Sequence, residues 1–228
     1  MKLTSDTLNV LKNFASINQG ILFKKGQTIK TVSPHKNILA EVVVTEEFPV
    51  EFGVYDLNNF LSVLSLHKED PTLSFEDKNI LIAGLKGRSK IKYRFCEPTM
   101  IVVPPEKNIV VPNPEIKFEL SSEDFEWVLR AAAVLGSPQI AIDSDGEKIF
   151  ISTLDTQNDS AHTDSIEIAK GNGDKYRMIF KAENLKMISG SYDVSISSKG
   201  VSHFKNKNME LQYWITTEQG SKFEKGSK

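Results

Sequence analysis

Hydrophobic residues recur at the i, i+3, i+4, i+7 spacing of an amphipathic helix in several places along the chain. The two longest such segments are TSDTLNVLKNFASI and SSEDFEWVLRAAAVLG. Ser, Thr and Asp side chains accept hydrogen bonds from the free N–H groups at the start of a helix. We therefore expect Thr4, Ser5 or Asp6 to cap the first helix and Ser121 or Ser122 to cap the second.

The segments that follow each of these helices alternate between hydrophobic and polar residues, as β-strands do. A short second helix is predicted next in both halves, over 56–66 and about 182–189, and each half closes with further strands. This order occurs twice, at an offset of roughly 117 to 126 residues. The pattern therefore indicates an internal duplication.

A proline-rich segment separates the two repeats. The stretch EPTMIVVPPEKNIVVPNPEIKF, residues 97–118, holds five of the nine prolines, so it is predicted to run extended. Its valines and isoleucines indicate that it lies against another part of the protein. We divide the chain into a domain over 1–97, a connector over 98–116 and a second domain over 117–228.

The composition indicates an ordinary two-domain protein and argues against a membrane-spanning or disulfide-linked one. A chain of 228 residues with 39% hydrophobic residues and a net charge of −2 is typical of two ordinary domains. No hydrophobic run is long enough for a membrane span, and no signal peptide is expected. Cys96 is the single cysteine, which excludes an internal disulfide and agrees with a reducing compartment.

The predicted helices carry unusual residues on the sides that face away from the core. Solvated helix faces usually hold Glu and Lys, whereas these hold Asn and Ser with a few cations. Such a surface can lie against a phosphate backbone without reading bases, although a plain solvated face is the simpler interpretation. The candidate residues are Asn9, Lys12, Asn13, Ser16, Asn58, Asn59, Ser62, Ser65, Arg130, Lys181 and Lys186.

Two motifs in the first half carry a resemblance to a known family. The pattern MKL..DT...LKNFA.IN.GI..K.GQ.I over residues 1–29 and the pattern YDLN.FL..LSL over 55–66 resemble the sliding clamps of T-even-like bacteriophages. The order of the motifs and the length of the chain also match. In the second half the resemblance rests on the order of elements.

The resemblance implies an α+β DNA-clamp fold of two similar domains, each with two helices packed on antiparallel sheets. It implies a homotrimeric ring that encircles double-stranded DNA non-specifically and holds the replicative polymerase by its C-terminal tail. An ATP-dependent clamp loader would place the ring on DNA in the cytoplasm of an infected bacterial host. The resemblance implies neither catalysis nor a cofactor or metal.

Ring closure needs two complementary strand edges. By resemblance, the candidates are SKIKYRF over 89–95 and HTDSIEIAK over 162–170. Their opposite charges are Lys90, Lys92 and Arg94 on one side, and Asp164 and Glu167 on the other.

For the polymerase tail, the resemblance implies a groove near the connector. We expect Met100, Val102 and Val110 to line part of it, although a connector that only seals the domains together is the simpler interpretation. Trp127 and Trp214 are further candidates for partner contacts, with packing inside the domain favoured.

The sequence also allows two interpretations of its function other than a sliding clamp. The segment DTQNDSAHTDS, 155–165, could form an oxygen-rich metal site or part of a triad, but a polar hairpin is favoured. A duplicated β-rich interaction or virion-assembly module is the alternative function, and the oligomeric state distinguishes it from a trimeric ring.

Overall fold

The computed structural model describes residues 1–67, 71–107 and 109–226. The chain divides into two compact units, Met1–Lys107 and Asn108–Lys228, so the boundary falls inside the predicted connector. Within the described residues, no helix is long and apolar enough to cross a bilayer.

In the part of the first unit that the structure describes there are two α-helices and seven strands. Its elements are α1 (Ser5–Ile17), β1 (Ile21–Phe23), β2 (Gly26–Val32), β3 (Ile38–Phe48), β4 (Phe52–Val54), α2 (Leu57–Ser65), β5 (Thr72–Phe75), β6 (Asn79–Gly84) and β7 (Ser89–Arg94). A short 3₁₀ turn at Leu85–Gly87 lies between β6 and β7, and another at Pro98–Met100 follows β7. Strand β1 pairs with β4, β2 pairs with β3, and β5, β6 and β7 form a meander, all antiparallel.

Over residues 109–226 the second unit has one α-helix and nine strands. Its elements are β8 (Ile116–Leu120), α3 (Ser122–Leu135), β9 (Gln139–Asp145), β10 (Lys148–Leu154), β11 (Ser165–Lys170), β12 (Lys175–Lys181), β13 (Tyr192–Ser197), β14 (Val201–Asn206), β15 (Leu211–Thr216) and β16 (Lys222–Glu224). One antiparallel sheet has the order β11-β10-β9-β12-β16, and in the other β15, β14, β13 and β8 are neighbours.

The three α-helices begin where the sequence predicts. The Thr4 hydroxyl accepts from the Thr7 N–H, the Asp56 carboxylate accepts from the Asn59 N–H, and the Ser121 hydroxyl accepts from the Asp124 N–H. Helix α3 ends at Gly136, which adopts the left-handed conformation (φ 68°) that glycine tolerates best. Local capping chemistry therefore accounts for these boundaries.

The fourth predicted helix, 182–189, is wrong. The chain forms only a 3₁₀ turn at Ala182–Asn184 and then continues without regular structure. Two buried tyrosines explain the difference: the Ile188 N–H donates to the Tyr213 hydroxyl, and the Tyr192 hydroxyl donates to the Ile188 carbonyl. Both backbone groups of Ile188 are thus satisfied outside a helix.

The duplication is visible in the strand pairing as well as in the element order. In the second unit β8, which precedes α3, pairs with β13. In the first unit Met1, which precedes α1, exchanges two backbone hydrogen bonds with Leu73 of β5 at 2.7 and 2.8 Å. Each unit therefore begins with an extended segment, then a helix, and pairs that segment with the first strand of its closing meander.

Each unit has its own hydrophobic core. In the first, buried residues of α1 and α2, including Phe14 and Phe60, pack over the sheets, where Phe23 and Phe52 stack with ring centroids 4.5 Å apart. In the second, Phe125 of α3 packs edge-on against Tyr192 at 6.1 Å. The buried stripe fixes which side of each helix remains outside.

Candidate functional site

The candidate residues on α1 and α2 all lie on the sides of these helices that face away from the core. Asn9, Lys12 and Ser16 of α1 are exposed, and Asn13 is partly exposed. On α2 the exposed residues are Asn58, Asn59, Ser62 and Ser65. Because α1 and α2 contact each other, the two polar faces are neighbours on one side of the first unit.

The serines of these faces direct their hydroxyl groups back onto the helices. Ser16 donates to the Asn13 carbonyl at 2.6 Å, Ser62 to the Asn58 carbonyl at 2.8 Å, and Ser65 to the Ser62 carbonyl at 2.7 Å. Serines inside helices commonly make such bonds. With these protons used internally, the side-chain donors that this surface offers to an anion include the amides of Asn9, Asn58 and Asn59 and the Lys12 ammonium.

The cations of the second unit lie in two different settings. Arg130 is on α3 and exposed, with its guanidinium carbon 6.0 Å from the centre of the Trp127 ring. Lys181 and Lys186 are both exposed. Lys181 is the last residue of β12, just ahead of the predicted helix, whereas Lys186 follows the 3₁₀ turn, which corrects its predicted helical position. The missing fourth helix is the reason for this difference.

The two segments predicted to close a ring are outer strands of their sheets. Strand β7 lies at one end of the β5-β6-β7 meander, and β11 lies at one end of the five-stranded sheet. Strand β11 also carries a β-bulge relative to β10, a feature common at sheet edges. Each strand therefore has one side whose backbone groups pair with no neighbouring strand in the part of the chain that the structure describes.

Lys92 on one edge and Glu167 on the other have charged partners within the chain. Lys90, Lys92 and Arg94 are exposed along β7, and the Lys92 ammonium lies 3.9 Å from Glu76. On the other edge, Glu167 pairs with Lys148 at 2.6 Å. These exposed pairs are weak, so they leave the charges available to other partners.

The start of the predicted connector is anchored to the first unit. Ile101 is buried, with side-chain atoms within 3.4 Å of the positions that a Cβ would occupy on Gly20 and Gly53. The buried Asn18 side chain donates to the Val102 carbonyl at 3.0 Å. A larger residue at either glycine would push this segment away.

A pocket of about 270 Å³ lies beside the connector, within the first unit. Leu22, Val103 and Pro104 form its apolar part, and Lys24 and Glu106 face each other across 3.4 Å. Its lining also includes Lys25, Thr28 and Lys30.

The predicted groove residues do not line this pocket. Met100, Val102 and Val110 are exposed but are not among its lining residues. Neighbouring residues of an extended segment point to opposite sides, and here Val103 rather than Val102 turns inward to the pocket.

The polar segment 155–165 forms turns. The Asp155 carboxylate accepts from the Gln157 N–H at 2.9 Å, and Asp164 accepts from the Trp127 indole N–H at 2.8 Å. Among the residues with described positions, no group of three His, Cys, Asp or Glu side chains could hold a metal ion. The contact between Trp127 and Asp164 was not predicted, because 37 positions separate the two residues; the one sequence signal was a tryptophan on the polar side of the α3 pattern.

Comparisons with known sequences cover both units. The family model described as DNA polymerase processivity factor matches residues 4–103, and the model described as gp45 sliding clamp, C terminal, matches residues 117–219. A sliding clamp of Vibrio phage KVP40 is 34% identical over 224 residues, covering 96% of this chain and 99% of that protein. A sliding clamp of Enterobacteria phage T4 is 36% identical over 205 residues, covering 88% and 89%.

Solved structures show the same fold at low sequence identity. PCNA from Thermococcus kodakaraensis superimposes with a TM-score of 0.68 at 14% identity, over 93% of this chain and 96% of that one. The Helicobacter pylori beta clamp, solved with a DNA ligase peptide, has a TM-score of 0.70 at 13% identity, over 96% of this chain and 65% of that one.

Proposed function

The chain belongs to the sliding-clamp family of DNA polymerase processivity factors, and we propose that three copies of it close into a ring around duplex DNA. In this ring the polar faces of α1 and α2, together with Arg130 of α3, line the hole. Lys181 and Lys186, which lie outside a helix, would also face the DNA. The duplicated β-rich assembly module is not favoured, because the sequence relatives are sliding clamps over nearly their whole length.

The main support for this proposal is that β7 and β11 each have one side with no strand partner among the described residues. A ring of identical subunits needs one surface that binds a different surface of the next copy. Antiparallel pairing of β7 with β11 of a neighbour would satisfy the free backbone groups of both strands. The row of cations on β7 would then meet Asp164 and Glu167 on the other edge.

The composition of the polar faces agrees with a protein that holds DNA by encircling it. A ring retains DNA without strong attraction, and each tight phosphate contact would slow its movement. Proteins that bind DNA by charge alone are usually strongly basic, whereas this chain has a net charge of −2. A lining of amides with few cations therefore supports sliding.

We infer that the polymerase is held through its C-terminal tail at the pocket beside the connector. A short flexible tail loses conformational entropy on binding, so it needs a preformed apolar site to compensate. Leu22, Val103 and Pro104 provide such a site. An ATP-dependent clamp loader would open and close the ring in the cytoplasm of the infected host, and the clamp itself would perform no chemistry.

Comparing closed circular with linear DNA tests directly whether the protein encircles the duplex. We expect light scattering to give a mass about three times 25.5 kDa, and we expect the loaded protein to remain on closed circular duplex DNA through gel filtration. Cutting that DNA once should release the ring, because it can then slide off an end. A protein that stays bound equally to circular and linear DNA holds it by affinity, which would contradict encirclement.

A further inference from the structure

The side chain of Trp127 lies on the outside of the second unit. It belongs to α3 but not to the buried stripe of that helix, and half of its surface (50%) is exposed. The indole N–H donates to the Asp164 carboxylate at 2.8 Å. Since Asp164 immediately precedes β11, the ring is held at the start of an edge strand.

Asp164 is itself fixed by a buried residue. Its N–H donates to the Thr153 hydroxyl at 2.9 Å, and its carbonyl accepts from the Thr153 N–H at 2.9 Å. Thr153 belongs to β10 and is buried. Trp127 is therefore positioned from two sides, by its own helix and by a carboxylate fixed to the sheet.

Trp127 has a charged neighbour on its own helix, and the edge strand β11 carries an apolar residue that is partly exposed. Ile166 of β11 is partly exposed and pairs with the buried Ile151, so both side chains lie on the same face of the sheet. Arg130 lies over the Trp127 ring at 6.0 Å, within the range of a cation–π interaction. The edge at β11 thus has an ordered aromatic residue beside an acid.

We propose that Trp127 is an anchor of the contact between subunits and is covered by β7 of a second copy. This inference rests on the proposed pairing of β7 with β11. Tryptophan is enriched among the residues that dominate binding energy at interfaces, and a ring already held in place loses little entropy on binding. The cations of β7 complement the site, because Arg94 or Lys92 of the second copy can approach the Asp164 carboxylate while stacking on the indole.

Association measurements on substituted full-length chains test the proposal. We expect Trp127→Ala to raise the dissociation constant of the trimer at least about tenfold, as for an interface hot spot. Trp127→Phe keeps a ring without the hydrogen bond and should have a smaller effect. Val134→Ala is the matched control, since Val134 is 85% exposed on the same helix, and it should leave association unchanged.

Fluorescence tests the same contact without a substitution. The chain has two tryptophans, and Trp214 is only 9% exposed and stacks on His203, so a neutral quencher reaches mainly Trp127. Dilution from trimer to monomer should increase quenching and shift the emission to longer wavelength. Quenching that does not change on dissociation would overturn the proposal.

The outcomes separate this inference from the proposed function. If the wild-type protein does not self-associate, ring formation fails and the anchor fails with it. If the wild type forms trimers and Trp127→Ala forms them equally well, only the anchor is wrong. If Trp127→Ala weakens DNA retention while the trimer is intact, the residue faces DNA and the proposal is overturned.

Discussion

The Thr7 hydroxyl donates to the Glu46 carboxylate at 2.6 Å and thereby ties the first turn of α1 to β3. The same carboxylate accepts from the Thr4 N–H, which is one of the free donors at the start of the helix. Burial raises the pKa of Glu46, but the hydrogen bonds from Thr7 and Thr4 more than offset it, so the pKa falls below its ordinary 4.5. The position of α1, which carries much of the proposed lining, depends on this ionised group.

Replacing Glu46 by Gln should lower the free energy of unfolding by about 1–3 kcal/mol. The amide keeps a single acceptor oxygen, so one of the buried donors loses its partner. Urea denaturation at pH 7 measures the change. Glu47→Gln, at the exposed neighbouring position, should stay within about 0.5 kcal/mol of the wild type.

The difference between wild type and Glu46→Gln should also depend on pH. Because the folded-state pKa of Glu46 lies below 4.5, its contribution to stability is complete above pH 4.5 and is lost as the pH falls through the folded pKa. Unfolding curves of both proteins across the acid range should therefore converge. A difference that is constant with pH would mean that ionisation of Glu46 does not stabilise the fold.

Replacing Lys12 and Arg130 by Ala should reduce the salt dependence of DNA retention. Each lost phosphate contact lowers the slope of log retention against log salt by about 0.9. A separate Lys181→Ala, Lys186→Ala variant decides whether these two residues belong to the same surface. Lys205→Ala, exposed on β14, is the control. An unchanged slope in the first variant would show that these cations do not contact DNA.

Reversing the charge of Lys92 and Arg94 to Glu should produce monomers at low micromolar concentration. Acidic residues would then face Asp164 and Glu167 of the neighbouring copy, and like charges placed opposite each other on paired strands are destabilising. Sedimentation velocity measures the assembly state.

A compensating charge reversal on β11 tests whether β7 and β11 pair with each other in the ring. Glu167→Lys in the same chain leaves the Trp127–Asp164 hydrogen bond in place and should restore part of the association. Lys199→Glu and Lys205→Glu, introduced into the wild-type chain, should leave it trimeric. Failure of the compensating reversal, with folding intact, would argue against the pairing of β7 with β11.

Replacing Val103 by Asp should abolish binding of a polymerase C-terminal peptide. The substitution places a charge in the apolar part of the 270 Å³ pocket. Val102→Asp is a close control, because Val102 and Val103 are 40% and 43% exposed but only Val103 lines the pocket. Calorimetry should show binding to the Val102 variant and none to the Val103 variant. Equal affinities would place the peptide elsewhere.

The sequence predicted those features that depend on neighbouring residues. Thr4 and Ser121 mark helix starts through contacts within a few positions, so capping rules found them. The side of each helix that faces outward follows from the same short spacing. The resemblance contributed the architecture and the choice of edge strands, which periodicity alone cannot provide.

The predictions that failed, or were not made, depend on contacts between distant residues. The helix over 182–189 is replaced because Tyr192 and Tyr213 satisfy the backbone of Ile188. Val103 and Leu22 line the same pocket although they lie far apart in the sequence. The spacing of hydrophobic residues along the chain contains no information on such distant pairs.

The serines of α1 and α2 that donate to carbonyls of their own helices should affect the rate of sliding along DNA. Friction on a moving ring comes from contacts that must break before each step along the duplex, and a hydrogen bond to a charged phosphate is worth about 1.5–3 kcal/mol. Ser16, Ser62 and Ser65 have already committed their protons to carbonyls of their own helices, so they add few such barriers. The ring would then diffuse along DNA at a rate limited by its rotation as it follows the groove. Breaking individual hydrogen bonds to phosphates would not limit that rate.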